Sequence, residues 1–374
     1  MKCTCSKDDL KSALQAVSKA VAEKPQTPVL AGIYLRAEDS MLEIQSTDFS
    51  LGIIAKIPAN TEIEGELVVI GKKLTEISGK LSGEIVTITD EEEEAMATLK
   101  SDAAKYSLLT MSVEDFPKVK EDQEFTNSFK IRAIALKNLI RCSTFACSKD
   151  KSGKPMYLGC SIQINGSEIT FVGTNTNRIA IDKEEILDNS EDFQCIIPAR
   201  TLLDVSGMLD VKGNDKLVIV ECSNRHVAFN FDNIFVSSRL IDGQFPPVEQ
   251  VIPKSSDTVA TIEVAEFREA IGRVELIARD TEYCTIKLAF SQDGLELSAI
   301  ADNVGNFVEH VDAAVEGPDI EILVRVTYMI DVLKVFNEEK ITIGMTKPLS
   351  AIKMCEIGND NFVYVLMPTR SMRN

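Results

Sequence analysis

The chain repeats itself at the scale of a domain. Leu42-Glu43-Ile44 runs into Thr47-Asp48, Ile169-Thr170-Phe171 into Thr174-Asn175, and Leu295-Glu296-Leu297 into Ile300-Ala301-Asp302. These alternating segments start 127 and 126 residues apart, too far for a solenoid unit and right for a compact domain. Each copy opens with a short strand and an amphipathic helix. In the first, Ser6 can cap a helix carrying Leu10, Leu14, Val17 and Val21, with Asp8 and Asp9 in its acidic first turn. Phe129 and Ile131 precede a helix with Leu136, Leu139, Ile140 and Phe145, and Ala260 and Ile262 precede one with Phe267, Ile271, Val274 and Ile277.

A second helix follows in each copy, at Gly71 to Ser82, Pro198 to Leu209 and Arg325 to Asn337. Strand-like runs surround these helices, among them Glu84 to Thr89, Lys216 to Val220 and Lys340 to Met345. Glu91 to Glu94 reads as a solvated hairpin turn. Polar joints near Lys118 to Asn127 and Pro253 to Asp257 divide the chain into residues 1–125, 126–255 and 256–374. The expected class is α+β, three tandem copies of one domain with two helices against antiparallel sheets.

Composition narrows the function. The 374 residues exceed one ordinary core, and 44% apolar with 26% charged residues excludes a disordered chain. No apolar run approaches the ~18 residues of a spanning helix, and Met1-Lys2-Cys3-Thr4-Cys5 lacks the apolar core of a signal peptide, so a cytoplasmic protein is expected. Nine scattered cysteines and two histidines suit neither a disulfide framework nor a zinc cluster, so no metal or cofactor is expected. Cys3 and Cys5 share one face of an opening strand, where small apolar groups belong.

The net charge of −18 argues against a nucleic-acid partner only if the charge is evenly spread. Residues 6–24, 71–82, 132–151, 198–209, 263–279 and 325–337, the six proposed helices, together carry +7 and leave −25 on the rest. Lys11, Lys19, Lys24, Lys72, Lys73, Lys80, Lys137, Arg141, Lys149, Lys151 and Lys154 are candidates to face phosphate. For any single one, an ordinary solvated position is the simpler account. A helix-borne positive field attracts phosphates without reading bases, and the absence of Trp with 6% aromatic residues disfavours stacking on single strands.

Catalytic signatures are missing. Gly65 to Lys73 fails the phosphate-loop pattern, because five residues separate the glycines and Lys73 stands where Ser or Thr is needed. No G-x-S-x-G occurs, and two histidines offer little general-base stock. A non-catalytic binding protein is the expectation.

Taken together, Thr27-Pro28-Val29-Leu30, Thr47-Asp48, Asp115-Phe116-Pro117, Thr174-Asn175-Thr176-Asn177-Arg178-Ile179-Ala180, Asp242-Gly243-Gln244-Phe245-Pro246 and Tyr364-Val365-Leu366-Met367-Pro368-Thr369-Arg370 resemble the β subunit of bacterial DNA polymerase III, the sliding-clamp family, over essentially the whole chain. The resemblance implies a head-to-tail homodimer, in which each chain supplies half of a closed six-domain ring around double-stranded DNA. The implied partners are the replicative polymerase, the clamp loader and other clamp-binding-motif proteins; a membrane is not among them. Such an interface is heterologous yet closes. It places Tyr106 and Leu108, on an edge strand, against Leu276 and Ile277 of the second chain; core positions are the alternative reading for all four.

The family's peptide pocket maps onto Leu158, Thr174, Thr176, Asn177, Arg178, Ile179, Pro246, Val251, Val365, Leu366, Met367, Pro368, Thr369 and Arg370. Apolar walls with a few polar groups suit an extended peptide, although Val365 and Leu366 also read as plain strand core. Thr176-Asn177 stands where the family often has Gly-His, Gln250 replaces a common basic residue, Thr369 replaces a frequent Met, and Ser371 to Asn374 run past the usual end. Lys24 stands where the family has a basic residue facing DNA, and the loop Lys149 to Lys154 occupies another DNA-near position without matching the family side chain for side chain. A scaffold of the same shape that binds proteins but no DNA is the rival reading.

Overall fold

A computed structural model of the chain describes residues 1–91, 95–119, 124–189, 191–212 and 216–369. Most of Glu91 to Glu94, part of the first joint, Arg370 and Ser371 to Asn374 lie outside the described residues. The first copy runs β1 (Lys2–Ser6), α1 (Lys7–Val17), β2 (Gly32–Glu38), β3 (Met41–Thr47), β4 (Leu51–Ile63), β5 (Gly65–Ile70), α2 (Gly71–Ser78), β6 (Ile85–Glu91), β7 (Met96–Ser101) and β8 (Ala104–Met111). The second runs β9 (Asn127–Arg132), α3 (Ala133–Thr144), β10 (Gly159–Asn165), β11 (Glu168–Thr174), β12 (Arg178–Glu185), β13 (Asp188–Asn189), β14 (Phe193–Pro198), α4 (Ala199–Met208), β15 (Leu217–Cys222), β16 (His226–Phe231) and β17 (Ile234–Arg239). The third runs β18 (Thr258–Glu263), α5 (Val264–Ala278), β19 (Thr285–Ser291), β20 (Gly294–Ala301), β21 (Gly305–Val311), β22 (Ala313–Glu316), β23 (Ile320–Arg325), α6 (Val326–Leu333), β24 (Lys340–Met345), β25 (Ile352–Glu356) and β26 (Asn359–Leu366).

The three recurring segments of the sequence are β3, β11 and β20, the same strand of each copy. The long β4 also has counterparts. Its end pairs with β1, as β13 pairs with β9 and β22 with β18, so one strand of the first copy is split in two in the others.

Two compact units result, and the middle copy contributes strands to both. In one unit, β1, β6, β7, β8, β5, β2, β3 and β4 form a hydrogen-bonded circuit closed by β1 on β4, and the first half of β4 also pairs with β17. The other unit holds a nine-stranded sheet from β14 to β22 and the four strands β21, β20, β19 and β23. Its core gathers Phe267, Ile271, Leu288, Val324, Leu333 and Tyr364. All pairings are antiparallel, which lets one sheet face pack on helices while the other meets solvent.

Local chemistry sets the helices. Ser6 caps α1 by accepting from Asp9 N at 3.4 Å, and Leu10, Leu14 and Val17 are buried in one stripe. The helices are shorter than their apolar periodicity suggests. The Ser143 and Thr144 hydroxyls bond back to the Leu139 and Ile140 carbonyls at the end of α3, and Ser18 bonds the Gln15 carbonyl where α1 tightens into a 3-10 turn. One expectation changes accordingly. Within the observed bounds the six helices carry only +1, and much of the basic excess sits in flanking turns, on Lys19, Lys24, Lys80, Lys149 and Lys151.

Helix α3 lies close on β11. A Cβ at Gly173 would fall 2.1 Å from the Ser143 carbonyl oxygen, so only glycine permits this approach. Nearby, burial pushes the Asp182 carboxyl of β12 up to about 6, although the Cys142 thiol of α3 hydrogen-bonds to it and favours the charged form. The folded state therefore binds this proton more tightly than the unfolded chain. Burying the charged form costs stability above about pH 6, and that cost is relieved as pH falls toward the ordinary value of 3.8. Asp182→Asn should accordingly stabilise the fold at pH 8 by up to ~3 kcal/mol, at ~1.4 kcal/mol per unit, and lose its advantage by pH 4. Urea unfolding at both values checks this; a gain independent of pH refutes it.

Candidate functional site

The segment from Thr174 to Arg178 folds on its own side chains. Thr174 Oγ1 donates to the Arg178 carbonyl at 2.7 Å and accepts from Thr176 N at 3.1 Å, while Asn175 Oδ1 accepts from Asn177 N and Arg178 N at 3.1 and 3.2 Å. Thr176 takes a positive φ of 74° at the tip. The turn delivers β12 onto β26, with Ile179 opposite Val365 and Arg178 opposite Leu366. Met367 N continues the ladder by donating to Asn177 O at 2.9 Å.

Strand alternation then sorts the predicted residues onto two faces. Ile179, Ile181, Val365 and Val172 form a small apolar cluster with Val248, ringed by the partly buried Phe245, Ile252, Ala351 and Val363. Thr174, opposite Ile179, shares this face. Val251 and Met367 are exposed, Leu158, Pro246, Pro368 and Thr369 are half-buried, and the Tyr157 ring meets Phe245 edge-on at 6.3 Å. The result is an apolar floor with an apolar rim. Thr369 is tied down by its N–H to the Leu323 carbonyl at 2.8 Å.

Arg178 and Leu366 go the other way, into the core side. The Arg178 guanidinium is buried, donates to Asp331 Oδ2 at 2.7 Å and to the Phe145 carbonyl, and lies 4.5 Å from the Tyr328 ring centroid. It clamps the second copy to α6 beneath the floor and does not line it. Strand parity is the signal that separates these two from their neighbours. The pair is asymmetric, since the arginine is 4% exposed and the aspartate 35%. Asp331→Ala strands a buried cation and should cost ~2–4 kcal/mol, more than Arg178→Met, which leaves an aspartate that water reaches. Chemical denaturation of both variants measures the order, and the reverse order excludes this account.

The candidate phosphate-facing residues divide by environment. Lys24, Lys72, Lys80, Lys149, Lys151 and Lys154 are exposed, and Lys73 pairs with Glu76 at 2.9 Å. Lys137 is half-buried, and Arg141 donates to the Val335 carbonyl, a structural use the sequence did not reveal. The basic loop is ordered by Asp150, whose Oδ1 accepts from Ser152 N and Oγ at 2.9 and 2.6 Å, bonds that hold its carboxyl below the usual range. Among the described residues no three metal-ligating side chains cluster, and no helix is long and apolar enough to cross a membrane.

Two sheet edges complete the inventory. Strand β8 pairs with β7 along its length but with β5 only at Thr110 and Met111, leaving Ala104 to Leu109 open on one side among the described residues. Among the described residues, strand β21 pairs only with β20. Tyr106 and Leu108 are half-buried on the first edge. Leu276 is 63% exposed on α5, and Ile277 packs against the core of its own domain. The periodicity did not single out Leu109, Ile300 or Val308, all more than 60% exposed beside these edges.

Comparison with known proteins places this geometry. Three models of one family, the DNA polymerase III beta subunit, match the chain end to end: its N-terminal domain at residues 1–120, central domain at 130–247 and C-terminal domain at 249–370. The beta sliding clamp of Bacillus subtilis is 29% identical over 99% of this chain and all of its own length, and that of Pseudomonas aeruginosa is 27% identical over 98% and 99%. The crystal structure of the B. subtilis sliding clamp superposes with a TM-score of 0.93 at 27% identity, covering 99% of both chains. A P. aeruginosa sliding clamp bound to griselimycin gives 0.93 at 26% identity, over 99% of this chain and 100% of that one.

Proposed function

Since the chain belongs to the DNA polymerase III beta subunit family and is a non-catalytic DNA sliding clamp, we propose that two copies close head to tail into the ring that encircles DNA, each with domain boundaries near residues 125 and 255. The observation that carries this reading is the internal repeat itself. Strand β4 of the first copy pairs with β17, the last strand of the second; β12 of the second pairs with β26, the last of the third. The same rule leaves β21 of the third copy and β8 of the first as matching open edges. One chain cannot present both halves of a third such junction to itself without bringing its own ends together, whereas two chains satisfy both edges at once. The exposed Leu109, Leu276 and Val308 give that junction apolar cover.

In the assembled ring the exposed lysines Lys24, Lys72, Lys80, Lys149, Lys151 and Lys154 supply a sequence-blind attraction for phosphate. Lys73, Lys137 and Arg141 contribute less, being engaged or half-buried. Leu276→Asp with Ile277→Asp should reduce the particle to the 41.2 kDa of one chain in light scattering, because unpartnered charges in an apolar contact are costly. Wild-type protein loaded by a bacterial clamp loader should stay on circular duplex and slide off after linearisation, and the double variant should not be retained on either. A dimeric double variant removes the interface assignment; equal retention on circular and linear DNA removes sliding.

The groove over Ile179, Val365 and Val248 is the docking place for the replicative polymerase, clamp loader and other proteins carrying an apolar linear motif, entered past Val251 and Met367. Val251→Asp with Met367→Asp, both at exposed positions, should weaken a fluorescent polymerase-derived peptide by at least about tenfold with little change in melting temperature. Unchanged affinity in the folded variant displaces the groove from this role.

A further inference from the structure

The turn that builds the apolar groove occurs a second time, at the β3–β4 corner. Phe49 N donates to Thr47 Oγ1 at 3.0 Å, as Thr176 N does to Thr174 Oγ1, and Ser50 N and Leu51 N donate to Asp48 Oδ1 at 2.9 and 2.8 Å, as Asn177 N and Arg178 N do to Asn175 Oδ1. The tip residues share a positive φ, 69° at Phe49 and 74° at Thr176. Each turn leads into a strand paired with the last strand of the following copy. Phe116-Pro117 repeats the Phe245-Pro246 of the groove rim. A cavity of about 300 Å³ opens at this place, between Phe49, Gly52, Lys118, His226, Ser237 and Arg239.

Its chemistry is opposite to that of the groove. By the pairing of each turn, Gln45, Gly52 and Ser237 stand where the groove has Val172, Ile179 and Val365, so the apolar floor is lost. Gln45 Oε1 is taken up by Val119 N at 3.0 Å. Arg225 and Arg239 are exposed around the half-buried His226, and no ion pair joins either arginine to a carboxylate among the described residues. Lys118, another cation of the lining, pairs with Glu66 at 3.0 Å, which leaves the arginines as the open charge beside the cavity. At its mouth Phe49 is 55% exposed, although a bulky side chain at positive φ is strained and an exposed ring gains nothing from solvent. Ser46, one residue before Thr47, bonds the Val17 carbonyl of α1, so alternation puts Thr47 and the cavity on the sheet face away from that helix and its phosphate-facing neighbours.

We propose that this cavity is a second peptide-docking site, specific for an extended acidic segment of a partner protein that sets carboxylates against Arg239 and Arg225 and an apolar side chain against Phe49. The reading uses the repeat but does not depend on the apolar groove binding anything. Because the face is turned from the helices, a protein segment rather than the DNA backbone is the occupant, and electrostatic complementarity supplies selectivity.

Fluorescence anisotropy with a labelled octapeptide alternating aspartate and leucine tests it on the full-length chain. Arg225→Glu with Arg239→Glu should weaken binding by at least about tenfold, and Val251→Asp with Met367→Asp should leave it unchanged. A second variant separates docking from folding. Phe49→Gly relieves the positive φ, so it should hold or raise the melting temperature while weakening the peptide. The proposal is overturned if the charge-reversed variant binds as tightly as wild type, if a lysine–leucine octapeptide binds equally well, or if the groove variant alone abolishes binding. The polymerase-derived peptide should bind the charge-reversed variant normally, so failure at one site is read independently of the other.

Discussion

Everything in this molecule depends on the satisfaction of sheet edges. A strand with open N–H and C=O groups on one side must find a partner, be covered, or remain a template for another chain. Here the first strand beyond each Thr-Asp or Thr-Asn turn meets the closing strand of the next copy, β4 on β17 and β12 on β26. These ladders weld neighbouring copies into continuous sheets, and the middle copy is shared between two compact units. The same pairing positions both candidate sites, because the apolar groove lies over one ladder and the cationic cavity over the other. What remains open among the described residues, at β8 and β21, is where the proposed ring has a second chain add its strands.

Period-two alternation converts that backbone framework into chemistry. On β12 and β26 it sends Ile179 and Val365 to the floor of the apolar groove and sends Arg178 and Leu366 inward, where the arginine clamps Asp331 and the Phe145 carbonyl. A predominantly apolar face offers little to a basic partner and much to an apolar motif. At the related corner the floor residues are polar or absent and the surroundings are cationic, so the duplicated backbone carries two different surfaces. Function here is set by which side chains the repeat happens to carry, not by the repeat itself.

Much of this was legible from residues alone. The recurrences at Leu42, Ile169 and Leu295 locate one equivalent strand in each copy, and the apolar stripes of Leu10, Leu136 and Phe267 locate the first helices, because both patterns reflect local periodicity. Helix ends were less legible. Hydroxyl back-bonds at Ser143 and Thr144 end α3 before the basic residues that an apolar stripe alone would include. The charge contrast therefore belongs to the turns flanking the helices more than to the helices. Arg141 shows the same limit: its sequence position suits phosphate, and its guanidinium is committed to the Val335 carbonyl.

By itself the sequence determined the triplication, the α+β class, the buried stripes and the Thr-Asp and Thr-Asn turns, since each follows from residues within a few positions of one another. Only the tertiary structure decided which strand meets which across more than 170 residues, which parity of β12 faces outward, and which edges stay open. The physical reason is that register between distant strands is fixed by the packing of whole faces, and a one-residue shift would exchange core for surface along the entire ladder.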